Sequence, residues 1–533
     1  MLVTTDLMWW QRALIYQLVV PSFLDSNGDG FGDLDGVIAR LDYLEWLGVS
    51  ALWLSPIYPT PFRDLGYDVT DFTNVDARFG TLETFDALVA QAHERGIAII
   101  LDWVPNHTSS EHPWFIEACA SRESEKRDWY IWRDPRPDGA PPNNWISIFG
   151  GSVWEWHEPT GRHYLHTFHR TQPDLNWRNE AVQAAMLDAL RFWLDRGVDG
   201  FRIDACCLLF KDEELRDNPP NPGFKEGDGP DSQLLSEHTR DQPGLHEVLA
   251  RIRELADSYS GDRVLLGELY LPLEKVVGFY GSAERPELHL PLHMGLTWTD
   301  WNADALASTI ADYHGAVNAR GWPANVLSTH DVARLCVRAG AHHTRIAAML
   351  LLTSRGAVTL YYGEEIGMEG VDIPPDRARD PQGRRTGRNR DPARTPMQWN
   401  GDRYAGFSSV EPWLPVGADR ERNNVAAAQA DSRSLLSLYR RLIALRNDEP
   451  VLVHGSYERI ACDPPLFAYR RAGEEAAFLI LLNFASEAVD AELGSGVEGH
   501  IVLSTALDRE NETCSGTVAV RGDEGLVIRV DRA

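Results

Sequence analysis

The stretch Val-Asp-Gly-Phe-Arg-Ile-Asp (VDGFRID, residues 198–204) is a short apolar run that ends in an acid and follows a segment with helical spacing. The runs VLLGE (264–268) and NVLSTHD (325–331) have the same form. Acids at the carboxyl ends of the strands of a β/α barrel converge on one face, even when they lie far apart in sequence. Cleavage of a glycosidic bond needs such a set, because one carboxyl acts as nucleophile or base and another as proton donor. The three runs therefore suggest a glycosidase on a β/α barrel, whose acids are Asp204, Glu268 and Asp331.

A unit of helix, glycine and strand recurs along the chain. Residues 34–47 have apolar side chains at helical spacing, Gly48 can end that helix in the left-handed conformation, and residues 49–57 are typical of a strand. Strands that alternate with helices of this length predict a parallel sheet. A doubly wound open sheet is the alternative, but no Gly-rich phosphate loop follows the first strand to favour it. The eight predicted strands, enough to close a barrel, are 14–20, 49–57, 97–104, 198–204, 264–268, 289–295, 325–331 and 357–362, and the other two units contain helices at 85–94 and 181–195.

Two interruptions and a change of pattern divide the chain. A polar, Trp- and Pro-rich stretch after the third strand is longer than ordinary loops and predicts an inserted subdomain. A second irregular stretch, 371–399, follows the eighth strand, and after a predicted helix at 435–446 the chain switches to short apolar runs and turns, typical of a small all-β domain. The predicted division is barrel domain A at 1–106, domain B at 107–172, the remainder of domain A at 173–448 and domain C at 449–533.

Length, charge and cysteine content exclude several classes of protein. A chain of 533 residues is too long for one core and predicts two or three domains. The net charge of −28 argues against nucleic acid or an anionic membrane surface as partner. No stretch approaches the ~20 apolar residues of a membrane span, and the N-terminus lacks the pattern of a signal peptide. Six cysteines without metal-like spacing predict reduced thiols in a cytoplasmic protein. The expected oligomeric state is a monomer or homodimer.

The predicted strand 198–204 places Arg202 and Asp204 on the same face, because side chains alternate along a strand. A nearby cation favours the charged form of a carboxyl, so we expect Arg202 to hold Asp204 ionised, as a nucleophile requires. The alternative is a buried structural ion pair. Glu268 closes an apolar run, where desolvation would raise its pKa and suit a general acid. The alternative for Glu268 is a solvated acid at the end of a strand.

Several motifs, taken in order, resemble the conserved regions of the α-amylase family of glycoside hydrolases: GYDVTDF (66–72), DWVPNH (102–107), QPDLNW (172–177), GFRID (200–204), GE (267–268) and HD (330–331). The resemblance covers nearly the whole chain. It implies a (β/α)8 TIM barrel, a domain B inserted after strand 3 and a C-terminal all-β sandwich as domain C. It also implies that Asp204 is the nucleophile, Glu268 the acid/base and Asp331 the transition-state stabiliser, with His107, Arg202 and His330 holding the sugar ring.

Within that family the chain is similar to bacterial α-glucosidases and oligo-1,6-glucosidases. The likeness rests on Asp64 with Tyr67, on Phe168 four residues before Gln172, and on Arg390 before the run RTPMQW. It implies that Asp64, Tyr67, Phe168 and Arg390 bind the glucose at the non-reducing end, which gives exo action on short oligosaccharides or α-glucosides, by a retaining mechanism. Ala205 follows the nucleophile where relatives that act on α-1,6 bonds tend to have Val, so α-1,4 linkages are favoured, with possible transglucosylation.

Other activities within this family remain as alternatives: an oligo-1,6-glucosidase, a sucrose-acting hydrolase or isomerase, and a trehalose synthase. A non-catalytic relative is a further alternative of a different class. Such relatives have a membrane helix and have lost catalytic carboxyls, whereas this chain has all three acids and no apolar span.

The segment 25–33 has oxygen-bearing side chains at alternate positions with glycines between them. Such a loop can wrap a hard cation. It begins like an EF-hand loop, but its twelfth position is Gly36 and not Glu. Relatives have a structural Ca²⁺ or Mg²⁺ in this first loop, so the resemblance implies a metal that contributes to stability, with no organic cofactor. The predicted ligands are Asp25, Asn27, Asp29, the carbonyl of Phe31, and Asp33.

Overall fold

A computed structural model describes residues 7–318, 320–494 and 497–530, so the first residues of the predicted domain A and the last of domain C lie outside the described residues. The strands of the catalytic part are β1 (Leu14–Leu18), β2 (Ala51–Leu54), β3 (Ala98–Trp103), β4 (Trp132–Arg133), β5 (Trp154–His157), β6 (Arg162–Leu165), β7 (Gly200–Ile203), β8 (Val264–Leu269), β9 (Leu290–His293), β10 (Ala324–Val326) and β11 (Ala357–Tyr361). Those of the C-terminal part are β12 (Ser456–Ile460), β13 (Leu466–Ala472), β14 (Ala477–Asn483), β15 (Val489–Glu492), β16 (Glu498–Ser504), β17 (Thr513–Ser515), β18 (Thr517–Val520) and β19 (Gly525–Val530).

The α-helices follow the strands in alternation over most of the chain. In chain order they are α1 (Leu34–Ile38), α2 (Leu41–Leu47), α3 (Leu82–Glu94), α4 (Pro113–Ala120), α5 (Glu180–Asp195), α6 (Leu245–Asp257), α7 (Leu273–Val276), α8 (Ala303–Val317), α9 (Leu335–Ala339), α10 (Thr344–Thr353), α11 (Pro381–Thr386), α12 (Val425–Ala430), α13 (Leu435–Asp448) and α14 (Val451–His454).

Eight parallel strands form one sheet in the order β10-β11-β1-β2-β3-β7-β8-β9, and β9 lies beside β10, so that the sheet is a nearly closed barrel. Each of these strands overlaps a predicted one, which confirms the predicted (β/α)8 fold, although β10 ends at Val326 and Asp331 lies in the loop that follows. Ile100, Leu266 and neighbours fill the barrel with an apolar layer. Two residues further along the same faces come Asp102 and Glu268, so the inward side changes from apolar to polar at the carboxyl ends of the strands.

The strands β7 and β8 approach each other closely at Gly200. A Cβ at this position would lie 2.4 Å from the carbonyl oxygen of Val264. The parallel register pairs Arg202 with Leu266 and Ile203 with Gly267. The next pair in this register is Asp204 and Glu268. Because Gly200 has no side chain, the two strands come close enough for these acids to lie together.

The predicted helix 34–47 is two helices in the structure, because Arg40 (φ −116°, ψ 7°) leaves the helical conformation. The Arg40 guanidinium lies 4.1 Å from the centre of the Trp399 ring. The apolar stripe continues across the break, so the spacing did not reveal it. Gly48 ends α2 with φ 94°, in the left-handed conformation that the sequence predicts.

The polar stretch between β3 and α5 has structure of its own. It contains α4 and a three-stranded antiparallel sheet in the order β4-β6-β5. Isolated bridges from His107 to Asp174 and from Tyr130 to Leu175 join its two ends. This segment lies over the carboxyl ends of the barrel strands, where Phe149 and Phe168 line the same cavity as the strand-end acids.

The C-terminal part is a sandwich of two antiparallel sheets, in the orders β12-β13-β14-β19-β16-β17 and β15-β18. Residues of both sheets, such as Leu479, Ile501 and Val518, form a shared apolar core. The sequence did not predict β12, β15 and β17, because these strands are short or largely exposed and have no apolar run.

Over the described ranges, no helix combines the length and the apolar character needed to cross a membrane.

Candidate active site

The Arg202 guanidinium is the centre of a cluster of acids at the carboxyl ends of three neighbouring strands. Its Nη1 donates to Asp102 Oδ1 (2.7 Å) and to Asp204 Oδ1 (2.8 Å), and its Nη2 lies 2.5 Å from Glu268 Oε1. Arg202 is 1% exposed. The register of β3, β7 and β8 brings these groups together, because each strand ends at the same level of the barrel.

The pKa of Asp204 does not agree with the expectation that Arg202 keeps this carboxyl ionised. Burial raises the pKa of Asp204 well above its usual range, and the Arg202 guanidinium offsets only part of that effect. Burial also raises the pKa of Glu268, as the sequence predicts, and the pKa of Asp102. The physical reason is that one positive charge faces three carboxyls with little water around them. We infer that the three carboxyls share at least one proton.

Asp331, the third predicted catalytic acid, has a different environment. Its Oδ1 accepts from Arg394 Nη2 (2.9 Å) and Arg390 Nη1 (3.1 Å), and its Oδ2 lies 3.2 Å from His330 Nε2. Burial raises the pKa of Asp331, but the adjacent His330 and the guanidiniums of Arg390 and Arg394 together outweigh burial and hold this pKa well below the usual range. Asp331 is therefore an ionised carboxylate beside the group around Arg202.

The two predicted sugar-binding histidines meet at Tyr67. The Tyr67 hydroxyl donates to Asp102 Oδ2 and lies 2.8 Å from His330 Nε2, while its ring is parallel to the imidazole of His330 at 5.4 Å. His107 Nε2 lies 2.9 Å from the Tyr67 carbonyl oxygen, so Nε2 has the proton and donates. Burial lowers the pKa of His330 to about 3, and it also lowers the pKa of His107. Both rings are neutral at pH 7.

Asp64 and Arg390 form an ion pair at one end of the site. Arg390 Nη2 donates to Asp64 Oδ1 (2.8 Å), and the same nitrogen donates to Asp380 Oδ1 (2.7 Å). Arg390 comes from the irregular stretch after β11, and Asp64 comes from the loop after β2. Phe168 lies against His107 at 5.2 Å between ring centres, and Phe149 lies between Phe168 and Arg390.

These residues line a single cavity of about 630 Å³. All three predicted catalytic acids contact it, as do Asp64, Tyr67, His107, Phe168, His330 and Arg390. Arg202 lies behind the wall, where it binds the acids. Trp298, 57% exposed, stands at the rim. The sequence-predicted site residues, apart from the metal ligands, are therefore in one place.

A second cavity, of about 550 Å³, lies at the opposite end of the barrel strands. It is lined by Trp9, Ser50, Ala98 and Asp199, among others. The Asp199 carboxylate already binds His93 and Arg263. The described residues that line this cavity include no group of acids like that around Arg202, so the chemistry points to the first cavity.

Four residues of the site were not assigned from the sequence. Asp102 is the penultimate residue of β3, as Glu268 is of β8, and the sequence places it at a strand end without giving it a role. Arg394 begins the RTPMQW run, but only the fold brings it to Asp331. Tyr270 lines the cavity two residues after Glu268. Asp380 lies in an irregular segment that has no periodic pattern, and no sequence signal identifies it.

The predicted metal ligands lie in the loop before α1, outside the cavity. Asp25 Oδ1 accepts from the Gly28 amide (2.7 Å), and Asp29 Oδ1 accepts from the Phe31 amide (2.8 Å). Asp33 caps α1 by accepting from the Gly36 amide (2.7 Å), and Asn27 Oδ1 accepts from the Asp29 amide (2.9 Å). The oxygen-only set suits a hard cation. Across the described residues, however, the carboxylates of this loop do not form a group of three with ligand atoms within 4.8 Å of one another.

Comparison with known proteins identifies the family. The Alpha-amylase family model, described as the alpha amylase catalytic domain, matches residues 17–455. The chain is 39% identical over 531 residues to a probable alpha-glucosidase of Rhizobium meliloti (strain 1021), with 96% of each chain covered. It is 37% identical over 520 residues to an oligo-1,6-glucosidase of Parageobacillus thermoglucosidasius, with 90% of this chain and 91% of the relative covered.

The crystal structure of an alpha-glucosyl transfer enzyme matches with a TM-score of 0.92 and 37% identity, over 99% of this chain and 100% of the other. The fold, the strand-end acids and the extent of these matches agree along the chain. The protein therefore belongs to the α-amylase family and is a glycoside hydrolase of that family.

Proposed function

We propose that the protein is a retaining, exo-acting α-glucosidase that hydrolyses short α-glucosides from the non-reducing end, with α-1,4 linkages favoured. The observation that supports this most is the shared guanidinium: Asp204 and Glu268, at adjacent strand ends, both bind Arg202. Retaining enzymes hold the nucleophile and the acid about 5–5.5 Å apart. Two carboxyls on one guanidinium fit that short separation better than the wider spacing that admits a water.

In the proposed first step, Asp204 attacks the anomeric carbon while Glu268 transfers its proton to the leaving oxygen. The C–O bond to the leaving group breaks, and a covalent glucosyl ester with Asp204 forms. The raised pKa of Glu268 favours a proton on this carboxyl before the attack. Attack requires an ionised Asp204, so we propose that the proton shared by the carboxyls lies on Glu268 in the reacting complex, while Arg202 binds Asp204 Oδ1 and orients it.

In the proposed second step, the now ionised Glu268 takes a proton from water, which attacks the anomeric carbon and releases α-glucose from Asp204. Asp331 is ionised and binds sugar hydroxyls more strongly as positive charge develops on the ring. If a sugar hydroxyl replaces the water, the same intermediate gives transglucosylation. The structural likeness to an alpha-glucosyl transfer enzyme supports transfer as a side reaction.

The ion pair of Asp64 and Arg390 supports exo action. These groups, with Asp380, occupy one end of the cavity, and Phe168 and His107 stand beside them. A terminal glucose can donate and accept hydrogen bonds there, while a continuing chain would have to displace the ion pair. Removal of a buried charge partner costs several kcal/mol, about 3–5.

A product profile tests the proposal. Maltose, isomaltose, sucrose, trehalose and p-nitrophenyl α-glucoside are incubated separately, and products are resolved by chromatography over time, with NMR of the first glucose formed. We expect fastest release of glucose from maltose or the aryl glucoside, as the α anomer. Faster cleavage of isomaltose supports the oligo-1,6-glucosidase alternative, and conversion of sucrose or maltose to an isomer supports a sucrose isomerase or trehalose synthase. If the glucose that is released first is the β anomer, the result contradicts a retaining mechanism.

We also propose that the enzyme works in the cytoplasm, and that a hard cation binds the loop 25–33. The cysteines Cys119, Cys206, Cys207, Cys336, Cys462 and Cys514 are all unpaired with one another, as expected in a reducing compartment. Asp25, Asn27, Asp29, the Phe31 carbonyl and Asp33 would hold Ca²⁺ or Mg²⁺ after local rearrangement, and the ion would stabilise the loop and take no part in the chemistry.

A further inference from the structure

The contact between the barrel and the C-terminal sandwich contains a group of three potential metal ligands. His342 and His343 lie between α9 and α10, and Asp523 lies in the turn between β18 and β19. One ligand atom of each residue lies within 4.8 Å of the others. Within the described parts of the chain, no other three His, Cys, Asp or Glu side chains have ligand atoms this close to one another.

The His343 imidazole is fixed with one nitrogen aimed at Asp523. This residue is 7% exposed, and its ring packs against Phe484 at 5.3 Å between centres. Its Nδ1 lies 3.2 Å from the Ala339 carbonyl oxygen, which can only accept, so Nδ1 has the proton. The other nitrogen, Nε2, is buried and makes no well-aligned hydrogen bond among the described residues. It therefore presents a free lone pair.

Asp523 Oδ1 lies 3.2 Å from His343 Nε2. Two acceptors that face each other at this distance repel unless a cation lies between them. Two ligand atoms of a tetrahedral zinc site with bonds of about 2.0–2.1 Å lie about 3.3 Å apart. The observed 3.2 Å between His343 Nε2 and Asp523 Oδ1 is therefore close to the distance between two ligand atoms of such a site. A proton on His343 Nε2, which would make an ion pair with Asp523, is the alternative, and titration with a metal separates the two.

The backbone holds Asp523 in place. Its amide donates to the Ala485 carbonyl (2.8 Å), and its φ of 53° places it in the left-handed region. The preceding Gly522 has no room for a side chain, since a Cβ there would lie 1.9 Å from the Ser486 carbonyl oxygen. His342 is exposed, and its ring lies tilted beside that of His343 at 4.1 Å between ring centres, so it can turn to complete the set.

We propose that His342, His343 and Asp523 bind a first-row divalent metal such as Zn²⁺, which links the barrel to the C-terminal sandwich. Two imidazoles and one carboxylate suit zinc, cobalt or nickel better than the oxygen-preferring Ca²⁺ and Mg²⁺. A water completes the coordination. Because the ligands come from two domains, the ion stabilises their contact, and binding to the folded state alone raises the melting temperature.

Calorimetric titration of Zn²⁺ into the full-length, untagged protein tests this site. The protein is first treated with a chelator and dialysed into excess Mg²⁺, which occupies any hard-cation site. We expect one Zn²⁺ site, and at least about tenfold weaker binding in His342→Ala and in Asp523→Asn, since changes even of second-shell groups cost this much. Asn tolerates the left-handed region, so the turn is kept. His500→Gln, a half-buried histidine of the same domain, is the matched control and keeps wild-type affinity.

Two further readouts do not depend on glycosidase activity. Co²⁺ should give visible absorption bands of a tetrahedral or five-coordinate site in the wild type and in His500→Gln, and these bands should be lost in Asp523→Asn. Zn²⁺ should raise the melting temperature of the same two proteins and leave that of His342→Ala unchanged. Equal Zn²⁺ affinity in all four proteins, or no binding by the wild type, would overturn the proposal and leave a His343–Asp523 ion pair.

Discussion

At the scale of single residues, the site depends on one arginine among three buried carboxyls. Arg202 contacts Asp102, Asp204 and Glu268, and all three have a raised pKa because burial outweighs the single positive charge. Asp331, with two guanidiniums, has a lowered pKa. Asp102, Asp204 and Glu268 therefore have one cation between them and share protons. Asp331 has two cations and stays ionised.

Replacement of Asp204 by Asn should lower kcat on an aryl α-glucoside by at least about 10³-fold, because an amide cannot form the covalent intermediate. The melting curve should stay cooperative, since one carboxyl fewer then faces Arg202. Asp188→Asn, at an exposed position on α5, is the control and should keep wild-type kcat. Retention of more than a few per cent of activity in Asp204→Asn would contradict the assignment of the nucleophile.

Replacement of Asp102 by Asn should move both limbs of the pH profile of kcat/KM to lower pH. The Asp102 charge disfavours ionisation of Asp204 and of Glu268, so it raises the pKa of each. Without that charge both pKa values fall: the nucleophile ionises at lower pH, and the acid loses its proton at lower pH. An unchanged profile, measured beside Asp188→Asn, would show that Asp102 does not set the protonation of the site.

Replacement of Ala205 by Val should shift preference from maltose towards isomaltose. Ala205 lines the cavity directly after Asp204, and its φ of 47° is strained for a β-branched residue. The variant will therefore be less stable, so the ratio of kcat/KM for the two sugars is measured, because a ratio does not depend on the folded fraction. An unchanged ratio would remove the argument for α-1,4 preference.

At the scale of elements, the approach of β7 to β8 positions the nucleophile and the acid. Gly200 has no space for a Cβ beside Val264, so a side chain there must push the two strands apart. The loops that follow the strands add the remaining groups: Asp64 from the loop after β2, and Arg390 and Arg394 from the irregular segment after β11. Rigid strands thus supply the reacting acids, and loops supply the contacts to sugar.

Replacement of Gly200 by Ala should destabilise the protein by about 1–3 kcal/mol through overpacking. We expect kcat to fall more than KM changes, because the distance between Asp204 and Glu268 is disturbed while the ends of the sugar pocket stay in place. Thermal melting and steady-state kinetics measure the two effects.

The matched control for that variant is Gly315→Ala. Gly315 lies inside α8, and a Cβ there meets nothing within 4 Å. This change should be neutral or stabilise by about 0.5–1 kcal/mol. If both glycine variants behave alike, close packing of β7 on β8 is not what positions the acids.

At the scale of the whole molecule, an inserted segment and a C-terminal sandwich each contact the barrel. The segment between β3 and α5 covers the carboxyl ends of the strands, and the C-terminal sandwich packs against α8 and α10. Arg471, fully buried in β13, donates to the carbonyls of Thr353 and Leu452. The sandwich therefore acts on the stability of the barrel without approaching the cavity.

Chelation of a hard cation from the loop 25–33 should lower the melting temperature and leave kcat at 25 °C nearly unchanged, because the loop lies outside the cavity. The measurement starts from protein freed of all metals and compares melting with Ca²⁺, with Mg²⁺ and with neither ion added, with Asp29→Asn as the variant whose melting no longer responds. A response that Asp29→Asn keeps, or no response at all in the wild type, would show that this loop binds no metal.

Much of the fold was predictable because local patterns encode it. The eight barrel strands and the glycines that end their helices follow from apolar spacing alone, since a strand or helix must bury one face wherever it packs. The break between α1 and α2 was not predictable, because the apolar stripe runs across it. The strands β12, β15 and β17 were not predictable, because they have no apolar run.

The sequence by itself determined the barrel, the family and the identity of the acids at the strand ends, since each of these is written in contiguous runs of residues. Only the tertiary structure decided that Arg202 binds three acids at once, that burial overcomes its charge at Asp204, and that Arg390 joins Asp64 to Asp331. Asp64 and Arg390 are 326 positions apart. Contacts of this range, and the loss of water that sets each pKa, exist only once the barrel has closed and its loops have packed over it.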